Sequence, residues 1–105
     1  MMDESLSAVC ERHQITRTFD YAMRPLVMGR GLIEARDTYE DALVALLKAS
    51  YGIVTRGHPT GVIAQCVPVL SPTEAGRASE AVAINMPTEL QAVVALADRL
   101  RGVVP

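Results

Sequence analysis

Two cysteines and two histidines are the side chains in this 105-residue chain whose types do metal or nucleophile chemistry. Cys10 and His13 stand three apart, and seven residues separate His58 from Cys66. Two thiolates and two imidazoles make a tetrahedral zinc site when they arrive as two tight pairs. The second pair here is too loose, so no metal ligand is expected. A Cys–His nucleophile needs a thiolate activated by a base or a helix N-terminus. Cys10 and His13 can touch across one helical turn, but no third group is marked to orient the imidazole. The plainer reading puts both on the apolar face of a first helix, with Cys10 as a small buried hydrophobe. No catalytic residue and no cofactor is therefore expected, which favours a non-enzyme. A small ligand-binding or Cys/His enzyme domain built on Cys10, His13, His58 and Cys66 is the third reading of function.

The carboxylates pair as Asp3/Glu4, Glu34/Asp37 and Glu40/Asp41. The last two pairs surround a helix start, where acids favour the positive end of the helix dipole. Gly29-Arg30-Gly31 is too short for a phosphate-cradling loop and reads as a turn. Between residues 12 and 36 the bases Arg12, Arg17, Arg24, Arg30 and Arg36 face only Asp20 and Glu34, a local excess of +3. Such a cluster suits phosphate backbones or anions. The five arginines share no single helical or strand face, however, so a solvated surface is the simpler account.

Residues 69–78, Val-Leu-Ser-Pro-Thr-Glu-Ala-Gly-Arg-Ala, resemble the segment after the wing in MarR-like winged-helix regulators. The resemblance covers about ten residues and implies a DNA-binding transcriptional regulator, the second reading of function. The sequence departs from that pattern by one extra residue before Gly76 and by Pro68 in the preceding strand. The helix expected upstream, over 37–51, carries Lys48 as its one base, which is poor for reading a major groove.

Local signals mark three helix starts. Asp37, with Glu40 three residues on, predicts a capped helix to about Ser50 or Tyr51, closed by Gly52. Its apolar positions Tyr39, Leu43, Leu46 and Leu47 keep helical spacing. Ser71-Pro72-Thr73-Glu74 is a capping box with proline at the first helical position. Thr88 and Gln91 make another, opening a helix on which Leu90, Val93, Val94, Ala97 and Leu100 form one stripe. That stripe is the candidate dimer interface, because interface and core positions obey the same period. A weaker first helix spans about 3–13. Residues 15–21 alternate like a strand but also fit a short helix, and 53–70 fits two strands around a turn at 56–61 or a short helix from Thr60. No internal repeat is evident.

Half of the residues are hydrophobic, 21% are charged and the net charge is −2. That composition excludes a disordered chain and a generally basic nucleic-acid coat. Phe19, Tyr21, Tyr39 and Tyr51 are the whole aromatic supply, too few for a single-strand stacking platform. No apolar run approaches the length of a membrane helix, and the acidic Met-Met-Asp-Glu start is unlike a signal peptide. The expectation is a cytoplasmic, mainly α single domain over 1–105 with about four helices. A short β-hairpin or strand pair in 15–22 and 53–70 is allowed, with α+β as the alternative fold. Its expected function is protein–protein interaction or regulation, with a homo-oligomer or another protein as partner, nucleic acid less favoured and no membrane.

Overall fold

Strands claim more of the chain than its local signals suggest. The computed structural model describes residues 6–66 and 83–101. Its elements run α1 (Leu6–Arg12), β1 (Thr16–Phe19), β2 (Pro25–Gly29), β3 (Leu32–Ala35), α2 (Tyr39–Tyr51), β4 (Ile53–His58), β5 (Gly61–Cys66), β6 (Ala83–Met86) and α3 (Glu89–Arg101). The fold is therefore α+β, which corrects the expectation of a mainly α domain with about four helices. Strands do form at 15–22 and 53–70, but β2, β3 and β6 were covered by no expectation. The helix expected from Ser71 lies outside the described residues. By its contacts the chain divides into two compact units, Met1–Leu46 and Leu47–Pro105, with the division inside α2.

In the first unit α1 ends without a glycine. Ile15 N–H reaches the Cys10 carbonyl at 2.8 Å and Gln14 N–H the Glu11 carbonyl at 3.2 Å, while Gln14 takes φ +58°. This is a Schellman ending, with Ile15 and Cys10 both buried as its apolar clasp. β1, β2 and β3 then form an antiparallel meander. The β2–β3 connection is the two residues Arg30 and Gly31 at φ +53° and +78°, as a type I′ hairpin turn requires. Gly29 must lack a side chain, since a Cβ there would sit 2.7 Å from the Gln14 carbonyl oxygen.

Helix α2 starts one residue later than expected. Thr38, not Asp37, is the N-cap: its hydroxyl accepts from Asp41 N–H at 3.1 Å and its carbonyl from Ala42 N–H at 3.0 Å. Gly52, at φ +67°, follows the helix end as foreseen.

The second unit holds the meander β4-β5-β6, with α3 packed on its strands. Pro59 and Thr60 join β4 to β5, so the strands run further into the turn-rich segment than the sequence suggests. Thr88 caps α3 as expected, accepting from Gln91 N–H at 3.2 Å and donating to the Gln91 side chain. Ala92, Val93, Leu96 and Ala97 are fully buried. Lys48 Nζ lies 3.2 Å from both Thr55 Oγ1 and Glu89 Oε2, and Thr55 donates to Glu89 at 2.7 Å. This polar knot ties the last turns of α2 to β4 and to the first turn of α3.

Each unit thus carries three antiparallel strands followed by a threonine-capped helix. At a spacing of 50 residues the helix starts match: Thr38/Thr88, Ala42/Ala92, Val44/Val94, Ala45/Ala95 and Leu46/Leu96 are identical pairs. The alanines at 42 and 92 and the leucines at 46 and 96 are all fully buried. Among the described residues the two units thus share this element order.

Gly61 tests the close approach within the second unit. A Cβ there would run into the Met86 carbonyl oxygen, and φ is +150°. A Cβ on Gly57 meets nothing within 4 Å. Gly61→Ala is expected to cost about 2 kcal/mol or more of unfolding free energy, and Gly57→Ala within about 0.5 kcal/mol. Urea unfolding followed by circular dichroism reads both, and equal losses would contradict the approach of β6 to the hairpin.

Candidate functional site

The register of the first sheet sorts its side chains onto two faces. Arg17, Val27 and Glu34 lie in one cross-strand row, and Val27 is fully buried. On the other face Thr16, Met28 and Ile33 form one row, and Thr18, Leu26 and Ala35 the next. This second face has no charged residue. Ile33 is 66% exposed and Met28 38% exposed, while Thr18, Leu26 and Ala35 are half-buried, so one row of this uncharged face stands open to solvent. An antiparallel sheet with one solvated face ordinarily alternates apolar and polar residues. Here the alternation fails.

At one end of this sheet the 20–24 loop adds two more apolar groups. Tyr21 is as exposed as an isolated tyrosine and Met23 is 71% exposed. The loop backbone is nonetheless fixed. Asp20 Oδ1 accepts from the N–H groups of Ala22 and Arg24 at 2.9 and 2.8 Å, and Oδ2 accepts from Arg24 Nε at 2.9 Å. Asp20 N–H also donates to the Arg24 carbonyl, and Met23 N–H to the Asp20 carbonyl. The backbone bond from Arg24, followed by the other donors, holds the Asp20 carboxyl below its usual pKa range. Met23 adopts φ +64° within this frame.

The arginines of 12–36 are scattered. Arg24 pairs with Asp20 and Arg36 with Glu34 at 2.9 Å. Arg17 bonds the Ser7 hydroxyl and lies 5.7 Å from the centre of the Tyr39 ring. Tyr39 in turn sits 5.9 Å from Phe19 and donates to the Thr18 carbonyl at 2.7 Å. Arg12 and Arg30 lie at the end of α1 and in the β2–β3 turn.

Of the four Cys/His residues, two lie in each unit, and the pair in the second unit is held apart. Cys10 and His13 are buried in the first unit, and burial pushes the Cys10 thiol up, partly offset by Arg17. In the second unit Cys66 pairs with Ile53 while His58 pairs with Gly61, so they occupy opposite ends of the β4–β5 hairpin. Burial also raises the Cys66 thiol. His58 Nδ1 accepts from Thr60 N–H at 3.2 Å and lies 2.9 Å from Thr60 Oγ1, to which Asn85 donates at 2.8 Å. That cluster locks the hairpin tip to β6. No group of three or more His, Cys, Asp or Glu suited to a metal occurs among the described residues.

The α3 stripe is already in use within its own unit. Val93 and Ala97 are fully buried and Leu100 nearly so, while Leu90 and Val94 are half-buried. Met23, Met28 and Ile33 are the residues that sequence reasoning missed. The available signal was Leu26-Val27-Met28 and Leu32-Ile33 on either side of Gly29-Arg30-Gly31: consecutive apolar residues flanking a hairpin turn mean a sheet apolar on both faces.

Two acids make testable contributions. The Thr55 hydroxyl, then Lys48, holds the Glu89 carboxyl below its usual pKa against a smaller opposing effect of burial. Its stabilisation is complete above the unfolded value of about 4.3 and is lost as pH falls through the lower folded value. Thermal unfolding between about pH 6 and about pH 3 should therefore fall less steeply in Glu89→Gln than in the parent chain. An unchanged slope would place the acid loss elsewhere. For the loop, Asp20→Ala should speed amide exchange at Ala22 and Arg24 by roughly tenfold or more, with protection in β4 and β5 unaltered.

No family model matches the chain, and no curated protein or solved structure is detectably similar to it.

Proposed function

We propose that this chain is a protein–protein interaction module, regulatory in role and cytoplasmic, whose contact surface is the open face of β1-β2-β3 together with the 20–24 loop. The carrying observation is the uncharged face itself, with Ile33 66% exposed in a short strand. Contiguous apolar patches larger than a few hundred Å² mark interaction sites, and Met28, Ile33, Tyr21 and Met23 are exposed large side chains of this one unit. Tyr, Met and Arg, all present here, are the residue types enriched in such contacts. Two free cysteines with raised thiols accord with a reducing compartment. No helix among the described residues is long and apolar enough to cross a membrane.

The DNA-binding reading has less support. Two of its five arginines are neutralised inside the chain by Asp20 and Glu34, and a third is stacked on Tyr39. The segment that resembles a winged helix lies outside the described residues. The enzyme reading lacks an activated thiol, since burial raises both.

Site-specific photo-crosslinking in the producing cells tests the module. A benzophenone side chain in place of Ile33 should yield a discrete higher-mass adduct. The same probe at Val54, an exposed valine in the second unit, should yield little. Adduct at neither position, or equal adduct at both, would remove the open face as the contact surface.

A further inference from the structure

The two-residue connection between β4 and β5 has a single backbone donor. Pro59 has no N–H, and Thr60 N–H donates to Nδ1 of His58 at 3.2 Å. A ring nitrogen that accepts carries no hydrogen, so this imidazole is neutral with its proton on Nε2. Thr60 Oγ1 lies 2.9 Å from the same Nδ1 and accepts from Asn85 Nδ2 at 2.8 Å. The Thr60 hydroxyl therefore donates to the ring while its oxygen receives β6. Asn85 Nδ2 is itself 3.5 Å from Nδ1. One ring nitrogen thus gathers the turn's backbone donor, its hydroxyl and the side chain that ties in β6. Asn85 stands three residues before Thr88, the cap of α3.

We propose that this ring is a pH-sensitive latch: neutral, it holds the β4–β5 tip to β6, and protonated, it lets go of the Thr60 N–H and loosens the tip. Imidazole is the side chain that ordinarily changes charge between about pH 5 and about pH 8. Protonation puts a hydrogen on Nδ1, where the Thr60 N–H already points, and two donors then face each other. The new N–H turns to Thr60 Oγ1, whose own proton is displaced to water, and the backbone N–H is left to solvent. His58, Thr60 and Asn85 are all exposed, so the change is one of local order and the sheet stays folded. No neighbouring charge replaces the lost bond. Among the described residues Arg56 is the charged group on the His58 face of β4, and β5 and β6 present Ile63, Gln65, Ala83 and Asn85 there, neither acid nor base. Helix α3 lies over the opposite face, where Ala64 is fully buried and Lys48 and Glu89 meet Thr55.

The test is nuclear magnetic resonance on the purified full chain at about pH 8 and about pH 5. The imidazole nitrogen resonances should place the His58 proton on Nε2 at the higher pH. Protection of the Thr60 amide, corrected for the intrinsic pH dependence of exchange, should fall roughly fivefold between the two, about 1 kcal/mol. The Asn85 side-chain resonances should move with the same midpoint as the His58 ring, while protection at Ala64, in the middle of β5, should not change. His58→Asn keeps an acceptor, Oδ1, near the position of Nδ1 without a titrating ring, so its Thr60 amide should be equally protected at both pH values. His13 is the other imidazole and is present in both chains, so the variant isolates His58. Three results overturn the proposal: an Nδ1–H ring at about pH 8, a Thr60 amide indifferent to pH, or the same fall in the His58→Asn chain. The first of them needs no variant at all.

Discussion

A three-stranded meander cannot bury two faces by itself, and everything else in this chain follows from that constraint. Two strands are marginal in water, and three gain stability only with an apolar face covered. The second unit meets this with α3, whose Ala92, Val93, Leu96 and Ala97 are completely withdrawn from solvent. Alanine at 92 and 97 lets the helix sit close to the strands, while valine and leucine fill the space between. The Lys48–Thr55–Glu89 knot fixes where the helix begins, because Glu89 is its first residue. In the first unit Val27 and α1's Val9 and Cys10 are buried, yet the face bearing Met28 and Ile33 stays open. The candidate contact surface is what remains after one face has been used.

The same constraint explains what the sequence disclosed. Helix ends are local chemistry: a threonine hydroxyl meeting an N–H three residues on needs nothing from the rest of the chain. Hence α3 was legible to its first residue, and α2 missed by one because Asp37 and Thr38 are both good caps. Strands with one wet face are legible by alternation, as in 15–21, where odd positions are bulky. β2 reads Pro-Leu-Val-Met-Gly and β3 reads Leu-Ile-Glu-Ala. Their open face is apolar too, so the period-two signal vanishes. The feature that hid these strands is the one that marks the candidate site.

Other signals were legible as patterns but not as roles. The α3 stripe was visible, yet a helix packed on its own sheet and a helix packed on a partner show the same spacing; burial of Val93 and Ala97 assigns them to the unit's own core. Cys10 is buried on α1, His13 is buried one residue past its end, and His58 and Cys66 are held apart by the length of one hairpin. The match between 38–46 and 88–96 is mostly Ala, Val and Leu, common in this chain, and the strands before each helix share little.

Backbone strain distinguishes the loop from an ordinary connection. Among the described residues, three other than glycine take positive φ, Gln14, Met23 and Arg30, and all belong to the first unit. Each costs about 1–2 kcal/mol relative to a right-handed conformation. Gln14 recovers this by completing the Schellman ending of α1, and Arg30 by closing a two-residue hairpin. Met23 gains no comparable burial: its side chain and that of Tyr21 project into solvent. The Asp20 carboxylate holds the loop in this conformation through two backbone N–H groups and Arg24. A flexible loop would leave the same two side chains exposed without the strain. The rigid one gives them a fixed position at the end of the first sheet.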